Sequence, residues 1–153
     1  MIQRIQTVYL LLALILLGLV AWLPLGEIAV GDQIYNFTIN GIKADHTQEL
    51  IYNGLPLMVM LSIIIVLQLL IVFGFKNRIR QMRLATFNMI LMAGIVGIAF
   101  YFLKASVKEL GEAMSINYKL ALAFPIVAII LNYLAIRAIG KDEALVRSID
   151  RIR

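Results

Sequence analysis

IQTVYLLLALILLGLVAWLPL, residues 5–25, decides the fold. No Asp, Glu, Lys or Arg interrupts it, and its central run, 10–20, has no polar face to offer to water. A helix rises about 1.5 Å per residue, so roughly 20 apolar residues cross a hydrocarbon layer about 30 Å thick. Three more such stretches follow near 55–75, 84–103 and 120–138, the only charge in them being Arg137 at the edge of the last. Composition agrees, because 62% hydrophobic and 15% charged residues, with a mean hydropathy of +0.93, exceed what a soluble fold of 153 residues can hide. Lipid must cover the excess.

The opening stretch also resembles a secretory signal, with Arg4 ahead of a hydrophobic run. A signal core is typically about 7–15 residues before a small-x-small cleavage site. This run continues to Leu25, with Trp22 and Pro24 near its end, so an uncleaved first helix is expected.

Basic residues flanking a span resist translocation, and here they are unevenly shared. Arg4, Lys76, Arg78, Arg80, Arg83, Arg137, Lys141, Arg147, Arg151 and Arg153 fall on one side of the ladder, against Lys43, Lys104, Lys108 and Lys119 on the other. Both termini are therefore expected in the cytoplasm, with loops 26–54 and 104–119 outside. The net charge of +5 is a topology signal and not a nucleic-acid footprint, because no basic patch is interleaved with aromatics on a soluble surface. Aromatic residues mark the same two levels, Trp22, Tyr52, Tyr101 and Tyr118 outside, Tyr9, Phe75, Phe87 and Tyr133 inside.

The expected fold is thus an all-α membrane protein, one four-transmembrane-helix bundle over 1–153 with a small β-hairpin or meander in the first periplasmic loop. In that loop Ile28 and Val30 precede Gly31-Asp32, and Ile34 to Ile39 mix apolar and polar residues before Asn40-Gly41, a pair favoured in tight hairpins. Strands this short need support, so Tyr35, Phe37 or Ile39 should rest on the helix ends. Glu27, Asp32, Asp45 and Glu49 against Lys43 would give the cap a negative face for a partner. The sequon Asn36-Phe37-Thr38 would carry little weight were the source bacterial.

Three amides form the clearest intramembrane constellation. Gln68 precedes Lys76 by eight residues, Asn88 follows Arg83 by five and Asn132 precedes Arg137 by five, which places all three in the cytoplasmic half of the bilayer. An amide facing lipid is costly, so they should turn inward as an interhelical clasp or line a polar path. Ala93, Gly94 and Gly97 are small residues at helical spacing where another helix can approach. Lys76, Arg78, Arg80 and Arg83 form a basic loop at the lipid headgroups, helical in part because it lacks Gly and Pro. Pro125 inside the fourth span should remove one hydrogen bond and kink the helix near Ala121. The tail, 139–153, carries Leu145, Ile149 and Ile152 among Arg147, Asp150 and Arg151, an amphipathic pattern suited to the membrane surface or a docking partner. Glu143 should pair with Arg147 one turn on.

MIQRIQTVYLLLA at the start, KNRIRQMRLATFNM in the middle and RAIGKDEALVRSIDRIR at the end resemble an uncharacterised family of small four-pass inner-membrane proteins of Bacteroidetes-type bacteria. The likeness runs along nearly the whole chain and implies a bacterial cytoplasmic membrane. It brings no functional residues with it. Ile152 stands where Leu is expected.

No cysteine is present, which removes disulfide exchange, thiolate metal sites and palmitoyl anchors. The one histidine, His46, could meet a metal only weakly with Glu49, since a useful site takes three or four ligands. HExxH, GxSxG and phosphate-loop motifs are missing, and no paired carboxylates share a depth. No cofactor and no catalysis are expected. The leading expectation is a non-catalytic accessory or scaffold subunit touching membrane lipids and another membrane protein. The alternative is a small transporter or channel for an uncharged or hydrophobic solute, because no ionisable group in the spans could couple to protons.

Overall fold

The computed structural model describes residues 5–31, 33–44, 50–75, 77–110 and 115–150. Its long helices are α1 (Ile5–Trp22), α2 (Leu55–Phe73), α3 (Arg78–Leu110) and α4 (Phe124–Asp150). Each includes a span long and apolar enough to cross a membrane. At most 28% of any such span is buried, so Ile15, Val66, Ile90 and Ile130 present apolar surface outward on every side. Water is a poor solvent for such a perimeter.

The helices form a ring in which α1 packs on α2 and α4, and α3 packs on the same two. One stripe of each faces the centre: Leu10, Ala13, Leu17 and Val20 on α1, then Leu57, Leu61, Ile64, Gln68 and Ile71 on α2. Gln81, Ala85, Asn88, Met92, Ile95 and Ala99 continue it on α3, and Ala128, Asn132, Ala135 and Ile139 on α4. Steps of three and four alternate, the repeat of helices that meet along shallow crossing angles.

Beyond the helix ends lies a sheet of strands β1 (Gly26–Val30), β2 (Gln33–Thr38), β3 (Gly41–Ala44), β4 (Leu50–Asn53) and β5 (Ser115–Tyr118), in the order β4-β3-β2-β1-β5. Every pairing is antiparallel. The meander expected from the first loop is therefore larger, and the second loop adds its edge: Glu27 stands opposite Asn117 and Ile28 opposite Ile116. Ile28, Phe37, Ile39 and Ile42 are buried and join one apolar cluster with Val20, Leu57 and Leu103 from the helices. Sheet and bundle share a core.

One of the two turns differs from expectation by one residue. Thr38 pairs with Gly41, so Ile39-Asn40 make the β2–β3 connection and Gly41, at φ 126°, opens β3. Gly31, at φ 59°, lies in the other two-residue connection, between the paired Val30 and Gln33. Gly54 fastens α2 to the sheet: its N–H donates to Asn40 O at 3.0 Å, and a Cβ there would lie 2.5 Å from both Ile39 O and Asn40 C.

Two further expectations are corrected and one is widened. Pro125 stands in the first turn of α4, after a 3₁₀ turn at Leu120–Ala123, where its absent N–H breaks no helical bond, so the cause of a kink near Ala121 is missing. The span expected at 84–103 is the middle of a longer helix, because α3 begins at Arg78 and reaches Leu110. Residues 139–150 are no separate surface helix but the continuation of α4, while 151–153 lie outside the described residues.

Candidate functional site

Gln68 is fully buried, and both ends of its amide are engaged. Its Nε2 donates to Leu10 O on α1 at 3.1 Å, and its Oε1 accepts from Asn88 Nδ2 on α3 at 2.9 Å. Three helices are thereby joined by two hydrogen bonds. The backbone of Leu10 is the partner that no reading of side chains could have supplied.

Asn132, equally buried, is only loosely part of this group. Its Nδ2 donates at 2.9 Å to Ala128 O, one turn back on its own helix, and lies 3.9 Å from Met92 Sδ on α3, a weak acceptor. The clasp expected from Gln68, Asn88 and Asn132 is thus a direct link between the first two, with Asn132 one helical turn away across the α3–α4 contact.

The amides occupy a layer between two apolar clusters. Toward the sheet lie Ile64, Met92 and Ala128; toward the opposite end lie Leu10, Ile71, Ala85 and Ala135. Each amide sits on the inward stripe between a member of each cluster. Gln81 occupies the same stripe seven residues before Asn88, and its Nε2 donates to Ile71 O at 2.8 Å, binding the start of α3 to the end of α2. Sequence reasoning passed over Gln81 among its cations; its seven-residue spacing from Asn88 was the available signal. Exposed Ser62 and Thr86 satisfy their hydroxyls at carbonyls four residues back, Met58 O and Met82 O, so they remain compatible with an apolar surrounding.

At the basic end Arg78 Nη1 lies 3.8 Å from Glu143 Oε2, bridging α3 to α4, while Arg80 and Arg83 are exposed. Lys76 lies outside the described residues. Glu143 thus reaches across to α3, while the side chain of Arg147, its expected partner, lies outside what the structure describes. At the sheet end Lys119 Nζ lies 2.5 Å from Glu27 Oε1, tying the two loops together. Glu27 is therefore engaged in an ion pair, and the other members of the expected negative face, Asp32, Asp45 and Glu49, lie outside the described residues together with His46. Among the described residues no three His, Asp or Glu are grouped to hold a metal ion.

A family model described as "Domain of unknown function (DUF4293)" matches residues 2–152. The chain belongs to this family. No curated protein matches it.

Of the three small residues singled out in this DUF4293 chain, only Gly94 marks a helix contact within the bundle: a Cβ on it would lie 2.8 Å from Met60 Cε of α2. Ala93 and Gly97 face outward, and a Cβ on Gly97 would meet nothing within 4 Å. Under the sheet, Val20, Leu25, Ile39, Ile95 and Leu122 help to line a void of about 10 Å³, no larger than one water and apolar throughout.

Proposed function

We propose that this DUF4293 protein is a non-catalytic accessory or scaffold subunit of a larger membrane assembly. In this reading it sits in the bacterial inner membrane by four passes, with both termini cytoplasmic, in contact with lipid and with another membrane protein. The support comes chiefly from Gln68: its buried amide bonds Leu10 O and Asn88, and so acts as a fastening between helices with neither end turned to a solute. The broad apolar perimeter supplies surface for lipid and for a neighbouring span.

Gentle extraction from native membranes, followed by mass spectrometry of what copurifies, tests this. A stoichiometric partner is expected. Recovery as a lone monomer or homodimer that passes solute in liposomes would instead support a small transporter or channel for an uncharged or hydrophobic solute. That second reading draws on Asn88 Oδ1 and Asn132 Oδ1, buried acceptors to which the described residues offer no donor.

A further inference from the structure

Asn88 and Asn132 are both wholly buried, and each keeps one amide oxygen without a hydrogen-bond donor among the described residues. Such atoms are rare, since roughly 90% or more of buried polar groups find a partner. Here two occur on neighbouring helices. Asn132 Nδ2 touches Met92 Sδ, and Met92 stands four residues from Asn88 on the same stripe, about 6 Å along the axis. Two carbonyl oxygens cannot bond one another. A molecule carrying two donor hydrogens can serve both, and water is the smallest.

We propose that buried water donates to Asn88 Oδ1 and Asn132 Oδ1, extending the Leu10–Gln68–Asn88 chain of bonds to α4. The polar layer then runs through all four helices: Leu10 O on α1, Gln68 on α2, Asn88 on α3 and, through water, Asn132 on α4. Water fits where a charged ligand does not, because the amides lie between apolar clusters with no ionised side chain at their level. The site needs no partner subunit, so its failure and that of the accessory role are separable.

The test is water-edited solid-state NMR of the isolated full chain in lipid bilayers. Magnetisation should pass from water to Cγ of Asn88 and of Asn132, and not to side chains of the apolar clusters such as Ile64. In Asn132→Leu the transfer to Asn88 should fall by at least about half, since the water loses one of its two acceptors. Absence of transfer to Asn88 in the wild-type protein overturns the proposal. A second measurement covers the case in which the variant folds poorly: unfolding of wild type, Asn88→Leu, Asn132→Leu and the double variant in detergent. The two residues share no direct bond, so a coupling of about threefold or more in the unfolding equilibrium supports the water, and strict additivity overturns it.

Discussion

Asn88 Nδ2 donates to Gln68 Oε1 over 2.9 Å, and this bond joins α3 to α2 where the apolar core divides in two. Interhelical bonds in membranes average only about 0.6 kcal/mol, so its absolute strength is modest. Its removal is another matter. Gln68→Leu strands Asn88 Nδ2 in an apolar surrounding and should destabilise the bundle by about 1–3 kcal/mol. The double variant Gln68→Leu/Asn88→Leu removes both partners and should recover most of that loss. Unfolding midpoints in detergent measure both, and a double variant worse than the sum of the singles would contradict this role.

Gly54 and Gly97 should respond oppositely to alanine. At Gly54 the new methyl meets backbone atoms of the β2–β3 turn, which cannot swing aside, so a loss of about 1–3 kcal/mol is expected. At Gly97 it meets nothing, and the better helix propensity of alanine should add up to about 1 kcal/mol. Thermal denaturation of the isolated protein gives the comparison. Should Gly97→Ala leave the isolated chain intact yet abolish copurification of a partner, that outward face is where the partner docks.

The lack of cysteine permits a clean test of the proposed threading. Asn117→Cys on β5 and Arg80→Cys on α3 place single thiols at opposite ends of the bundle, both exposed. In cells with a permeable outer membrane, a charged maleimide should label position 117 directly and position 80 only after the inner membrane is broken. Equal labelling of both in intact cells would remove the assigned orientation.

The ion pair of Glu27 with Lys119 is partly exposed, at 33% and 38%, so screening by solvent keeps its contribution below about 1 kcal/mol. Glu27→Gln should lower the thermal midpoint slightly at low salt and hardly at all at high salt. The backbone bond from Lys119 N to Leu25 O remains in the variant and should hold the two loops together.

The spans were legible because an uncharged apolar run has few other places to go, and the depth of the amides because each lies a fixed count from a cation. What could not be read was rotation. A helix apolar all round gives no moment to point its stripe inward, so Ala93 and Gly97 could not be told from Gly94, nor the weak contact of Asn132 from the firm one of Asn88. Pro125 was placed inside a span because residues 120–123 are apolar; hydropathy does not distinguish their 3₁₀ turn from a helix. Strand β5 was missed because Ser115–Tyr118 shows no turn signal of its own and becomes a strand only where β1 offers it an edge. Long-range pairing of this kind overrides local preference.

That late strand has a consequence for the order of assembly. β1 to β4 lie between α1 and α2, whereas β5 follows α3, so the fifth place in the sheet stays open until the chain has crossed the bundle twice more. Closing such a long loop is slow and is rewarded only when α3 has packed back beside the helices that precede it. The β1–β5 ladder, with the Glu27–Lys119 pair beside it, therefore acts as a seal that can form only after the third helix has folded back, and protection of its amide hydrogens would date that moment.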